Sequence, residues 1–198
     1  MIVLDSKPSQ LRRGTLPGDQ GVWVFVLIDM TFFALLFVAY IAQQLQNREL
    51  FAQSQNSLNV GLGLLNTIVL LTSSWFVALS VVAKRDENQR AVRISLNLAI
   101  ACGGIFVLSK AVEYGAEIQS GVSLVTNDFY LFYFVITGLH LIHVVAGTVM
   151  LYVMAKKARS AAMTPIRLVT LESGATFWHM VDFLWVMIFP LLYLVRWR

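Results

Sequence analysis

Charge is scarce in this chain of 198 residues: only 13% are Asp, Glu, Lys or Arg, while 58% are hydrophobic. A water-soluble domain carries about 25% charged residues, so a chain this poor in charge is expected to turn its outside toward lipid. Cysteine is scarcer still. Cys102 stands alone, which excludes an internal disulfide, and its setting in AIACGGIF reads as a small buried hydrophobe. The compositions of disordered, collagen-like and disulfide-scaffold chains are absent too. Also missing are the nucleophile elbow, the phosphate loop, Cys-x-x-Cys and the zinc-protease motif, so no catalytic machinery is visible in the chain itself. There is no internal repeat, no low-complexity tract and no inverted symmetry of the kind common in transporters. The segment before Trp23 lacks the apolar core and small-residue cleavage site of a signal peptide, and the mature chain is expected to begin at Met1.

What the chain does have is long apolar runs. About 20 apolar residues cross about 30 Å of hydrocarbon, and five segments qualify: residues 22–42, 60–83, 94–109, 129–155 and 175–195. All five are expected to be helices, because in hydrocarbon every backbone N–H and C=O must be paired within its own segment. The third is expected to close at Lys110, Glu113 and Tyr114, and Pro190 is expected to kink the fifth without breaking it. The expectation is an all-α integral membrane bundle, with residues 1–21 a cytoplasmic tail and residues 22–198 a single five-helix domain.

The net charge of +4 is distributed as in a membrane protein. Eleven basic residues fall in the tail and alternate loops (Lys7, Arg12, Arg13, Lys84, Arg85, Arg90, Arg93, Lys156, Lys157, Arg159, Arg167), against four on the other side (Arg48, Lys110, Arg196, Arg198). By the positive-inside rule the N-terminus is cytoplasmic and the C-terminus outside, and no nucleic-acid partner is expected. Trp23, Tyr152 and Trp178 are expected as anchors at the inner interface, with Tyr40, Tyr130, Tyr193 and Trp197 at the outer one.

Ionisable residues inside these runs are the candidate functional groups. Asp29 lies about 10 Å along the first run at 1.5 Å per residue, where it should face other helices or a lipid head group. A hydrogen bond to a neighbouring helix, proton handling and lipid contact all stay open for it. His140 and His143 share one face of the fourth run, and His179 with Asp182 repeats that spacing on the fifth, where Glu172 lies seven residues before His179. Glu-x-x-His pairs and thiolates are lacking, so no metal site is expected and a buried hydrogen-bonded network is the favoured reading.

Taken together, these motifs resemble one family. FYFVITGLHLIHVVAG (residues 132–147) and ESGATFWHMVDFLWVMIFPLLY (172–193) resemble the two C-terminal helices of subunit III of haem–copper cytochrome c oxidases. Lys110, Glu113 and Tyr114 resemble that family's Lys-x-x-Glu-Tyr, and LLNTIVLLTSSW resembles its span with an Asn and Ser cluster. Longer members have seven helices, and this chain is similar to one that starts at the third. Asp29, where oxidase subunit III has a Glu, and the compact length are similar to the five-helix accessory protein of bacterial nitric oxide reductases.

The resemblance implies a non-catalytic subunit in a bacterial inner membrane, itself without cofactor but holding phospholipid. Its partner would be the haem- and metal-bearing catalytic subunit of an oxidase or a nitric oxide reductase, and it would support assembly, sustained proton uptake and turnover. It further implies Asp29 at a lipid cleft, His140, His143, Glu172, His179 and Asp182 in one buried polar network, and Lys110 with Glu113 at the outer rim. A small transporter using Asp29 and His179 and a metal-dependent membrane enzyme are the competing readings.

Overall fold

The computed structural model describes residues 17–159 and 168–195. Lys7, Arg12, Arg13, Arg167, Arg196, Trp197, Arg198 and the side chain of Arg159 lie outside what is described. Among the described residues the structure is helical: α1 (Gln20–Gln46), α2 (Arg48–Gln55), α3 (Val60–Arg85), α4 (Gln89–Gln119), α5 (Asp128–Arg159) and α6 (Leu168–Phe189), with a π-helical turn at Pro190–Leu194. Five of these helices, all but α2, are long and apolar enough to cross a membrane. Side-chain caps start four of them, with Asp19 accepting from the Gly21 N–H, Asn59 from Leu62, Asn88 from Ala91 and Asn127 from Tyr130.

α3, α4, α5 and α6 form a closed ring in which each helix packs on two others, and α1 lies outside it against α5 and α6. Sequence patterning explains the difference. α3 buries Gly63, Asn66, Leu70, Ser73, Val77 and Ser80, an alternating three–four spacing that presents one seam of mostly small or polar residues. Small side chains let the backbones approach closely, and Ser73 crosses to the Ala99 carbonyl of α4 at 3.0 Å. α1 buries only Val26, Phe33, Tyr40 and Gln44, a single narrow stripe on a helix that is otherwise exposed.

α4 continues to Gln119, beyond the expected closure at Tyr114. Lys110, Glu113 and Tyr114 look like a boundary in sequence because they are polar, but they point into the ring, where partners satisfy them. The interfacial anchors are also corrected: Trp178 and Tyr40 are fully buried, and Tyr130 and Tyr193 nearly so. Each tyrosine hydroxyl finds an internal partner, in Gln55, Ser57 and Glu113 respectively, so none has to reach water. Cys102 is half-buried, not fully enclosed. At Pro190 the chain widens into a π turn closed by the Val195 N–H to the Pro190 carbonyl at 2.9 Å, so the helix absorbs the missing proline N–H by a change of pitch.

Trp178 is the wedge of the ring. A side-chain carbon added at Gly147 of α5 would lie 2.6 Å from its ring, and one at Gly103 of α4 would lie 3.1 Å from it, whereas Gly104 meets nothing within 4 Å. Gly147→Val is therefore expected to cost about 1–3 kcal/mol through overpacking, while Gly104→Ala, with open space around it inside α4, does not destabilise. Thermal unfolding of the two variants in detergent measures the contrast, and equal midpoints would remove Trp178 from this role.

Candidate functional site

One end of the bundle carries the basic residues Lys84, Arg85, Arg90, Arg93, Lys156 and Lys157, and the polar side chains inside it fall into separate groups between that end and the opposite, far end. Near the basic end, Glu172 of α6 pairs with Arg85 of α3 at 3.0 Å and accepts the Gly18 N–H at 3.3 Å. The Asp19 N–H reaches the Ser173 hydroxyl at 2.9 Å. These contacts tie the entry to α1 onto the start of α6.

Deeper, Asp29 of α1 meets His143 of α5, with Oδ1 and Nε2 3.2 Å apart. His143 Nδ1 lies 2.8 Å from the Leu139 carbonyl, which can only accept, so Nδ1 carries a hydrogen. The Asp29 and His143 side chains stand within ion-pair distance of each other without the alignment of a hydrogen bond. Phe33 stands edge-on to the imidazole with ring centres 5.7 Å apart, and Phe177 lies at 6.5 Å. Aspartate Oδ2 has no partner among the described residues. Sequence alone gives Asp29 no named partner, because His143 is neighbour to it only after folding.

His179 of α6 is bound by Ser74 of α3, Nδ1 to Oγ at 2.5 Å. Neither Asp182 oxygen and neither His140 ring nitrogen has a hydrogen-bond partner among the described residues. His140 is held instead by rings, Trp185 at 5.3 Å and Phe106 at 5.6 Å. His140, His143, Glu172, His179 and Asp182 thus do not join into one network. Their partners are local to each helix pair: Arg85 for Glu172, Ser74 for His179, Asp29 for His143 and the Trp185 and Phe106 rings for His140. Among the described residues no group of three or more His, Cys, Asp or Glu is placed to hold a metal ion.

The most completely bonded polar group lies toward the far end, and it is a correction to the rim position expected of Lys110 and Glu113, which are buried. Lys110 Nζ donates to Glu113 Oε2 at 3.0 Å and to the hydroxyls of Tyr133 and Tyr193 at 3.2 Å each. Both hydroxyls donate to Glu113 Oε1, Tyr133 at 2.7 Å and Tyr193 by a shorter bond. Three ammonium hydrogens meet three acceptors, and the carboxylate receives three donors, which matches a charged Lys and a charged Glu. Rings of Tyr114, Tyr133, Trp185 and Tyr193 stand 5.0–5.9 Å from the ammonium. Sequence reading missed Tyr133 and Tyr193 as its partners; the one available signal was a Tyr near the start of the first histidine-bearing segment and another at the end of the second.

Removing one member of such a pair leaves a bare buried charge, at a cost of about 3–5 kcal/mol. Glu113→Leu is expected to lose that much, and Lys110→Met/Glu113→Leu to recover part of it. Detergent-titrated unfolding of both variants reads the difference, and a double variant no more stable than Glu113→Leu contradicts the paired charges.

Against this geometry the comparisons with known proteins are consistent. The family model for cytochrome c oxidase subunit III matches residues 13–197. A cytochrome c oxidase subunit 3 of Corynebacterium diphtheriae is 26% identical over 193 residues, covering 96% of this chain and 91% of the relative. A cytochrome bo(3) ubiquinol oxidase subunit 3 of Buchnera aphidicola is also 26% identical, covering 88% of this chain and 92% of its own length. A probable quinol oxidase subunit 3 of Staphylococcus saprophyticus is 23% identical, with 88% and 87% covered. The chain belongs to the subunit III family of haem–copper oxidases.

Proposed function

We propose that this chain is the accessory subunit of a bacterial terminal oxidase, fastened in the membrane to a catalytic subunit that carries the haem and metal, with no redox chemistry of its own. The observation that carries this reading is the match of the subunit III family over nearly the whole chain. The named relatives are subunits of cytochrome c and quinol oxidases, which supports oxygen as the acceptor. A nitric oxide reductase partner is the second reading, favoured by Asp29 in the place of a Glu. Compact length does not separate the two, because the Corynebacterium oxidase subunit is matched over 91% of its own length.

Two features give the accessory role a physical form. A groove of about 520 Å³ near the basic end is lined by Val22 and Phe25 of α1, Met150 and Met154 of α5 and Phe177 of α6, with Lys157 at its edge. Those walls suit an acyl chain, and the Lys157 ammonium suits a phospholipid phosphate. Asp29 is not part of that lining; it lies one turn further along α1, paired with His143. In this reading the Asp29–His143 pair holds a proton beside the lipid and fastens α1 to the ring, and it supports sustained turnover.

Purification in mild detergent tests the subunit reading. Co-elution with a larger haem-bearing chain is expected, and the purified complex should consume oxygen faster than nitric oxide. A haem band in this chain alone, or uptake of solute by vesicles that contain only this chain, would contradict it. Asp29→Asn is expected to leave the complex and its initial rate intact, since Asn keeps the contact with His143, but to shorten the time over which activity is maintained. Immediate loss of all activity in that variant would rule out an accessory role for Asp29.

The proposed orientation places the basic end in the cytoplasm. Reporter fusions in residues 47–59 should then be active outside and those in residues 86–88 inside, and the reverse pattern would overturn it.

A further inference from the structure

Asp182 lies fourteen residues along α6 from Leu168, about 21 Å of helix from its start. It is 3% exposed, and neither of its oxygens has a hydrogen-bond partner among the described residues. The chain itself encloses this carboxyl, so neither a lipid nor a partner subunit reaches it. A carboxylate left bare at such depth costs far more than a neutral acid. Lys110, the buried ammonium of the ring, offers no relief, because its three hydrogens are already placed on Glu113, Tyr133 and Tyr193. Asp182 therefore keeps its proton, and the structure supplies a way for that proton to leave and return.

Two contacts fix α6 against α3, which runs the other way: His179 Nδ1 with Ser74 Oγ at 2.5 Å, and Trp185 Nε1 with Thr67 Oγ1 at 3.0 Å. Asp182 falls midway between those levels on α6. Of the hydroxyls that α3 carries along this stretch, Thr67, Thr72 and Ser73 spend their hydrogens on the carbonyls of Gly63, Ile68 and Ala99. Ser74 faces both His179 and Asp182. The other titratable neighbour of the carboxyl is the Cys102 thiol of α4, a weak donor and a weak acceptor.

We propose that Asp182, Ser74 and His179 form a proton relay, through which a carboxylic acid sealed inside the ring exchanges its proton with the surface of the bundle. The donor directions agree. Ser74 donates to Nδ1, its oxygen keeps a lone pair for the Asp182 O–H, and an accepting Nδ1 leaves the ring hydrogen on Nε2. Rotation about χ2 of Asp182, a soft torsion, closes the first link. The transfer balances: Asp182 gives its proton to Ser74 Oγ as Ser74 gives its own to Nδ1, leaving a carboxylate, an intact hydroxyl and an imidazolium. These opposite charges lie one helical turn apart and offset each other. His179 is half-buried and its Nε2 is not enclosed, so the imidazolium releases the Nε2 proton outward, and a proton returning to Nε2 drives the same steps backwards. The inference goes beyond the subunit reading and does not depend on which partner binds.

Infrared spectroscopy of the full chain in mild detergent tests the relay, because a protonated carboxyl has an acid carbonyl stretch that a carboxylate lacks. On transfer from H2O to D2O one such band is expected to shift, and Asp182→Asn to remove it. Should that variant not fold, Asp182→Glu assigns the band by moving it. Ser74→Ala and His179→Phe are each expected to keep the band but slow its shift about 100-fold, the low end of what a positioned proton-transfer group supplies. Ser74→Thr keeps the hydroxyl and should restore the rate. A wild-type chain with no acid band from Asp182 has an ionised carboxyl there and overturns the proposal. An undiminished rate in either Ser74→Ala or His179→Phe overturns it too, as does failure of Ser74→Thr to restore the exchange.

Discussion

An ammonium group has three hydrogens to give, and in this bundle Lys110 places all three on Glu113, Tyr133 and Tyr193. The rest of the far end is arranged around that match. Tyr193 brings the π turn to it and Tyr133 brings α5, so three chain segments meet at one paired charge. The carbonyls that the π turn frees are met from the other side: the Gln55 side-chain amide donates to Leu192 O and Val195 O, and the Gln44 amide also reaches Val195 O. α1 and α2 are thereby tied to the same turn. An ion pair in so dry a place gains little over apolar packing; what it supplies is a single permitted register for the helices that share it.

The same constraint explains why the ring is polar inside and oily outside. Ser73, Ser80 and Asn66 line the buried seam of α3 while Leu64, Ile68 and Leu71 face outward. Lipid is as apolar as leucine, so burying leucine gains nothing between helices, and small side chains that permit close backbone contact gain more. α1, with its single narrow stripe, depends on a few specific fastenings: the Glu172 and Ser173 contacts at its entry, the Asp29–His143 pair in its middle and Gln44 at its end.

How much of this was legible in the residues follows from the same physics. The five spans were, because length and hydropathy decide them locally, and so was the family, because histidine and tryptophan at fixed spacing are carried by contiguous segments. The end of α4 was not. Lys110 and Glu113 are read as a boundary by any rule that counts charge, and only the arrival of Tyr133 and Tyr193 makes them interior. Tyr40, Tyr130 and Trp178 were assigned to the interface on the average habit of their residue types, yet their rings fill gaps between particular helices. Asp29 and His143 could each be singled out as polar at depth, but their pairing belongs to the packing of α1 on α5. His140 and His179 share a motif pattern in sequence and part company in space, His140 against the Trp185 and Phe106 rings and His179 on Ser74 of α3.

The lysine knot also imposes an order on biogenesis. Lys110 enters the bilayer on the third of the spans, and the hydroxyl of Tyr193 arrives with the last of them. From the arrival of Tyr133 on α5 until that of Tyr193, the ammonium lacks one acceptor and the carboxylate one donor, and the half-made bundle stays adjustable. Closure comes only when the final helix slides in and its widened turn delivers the phenol. A chain truncated before that turn would leave the ion pair short of one phenol within the membrane, so the last helix completes what the third span begins.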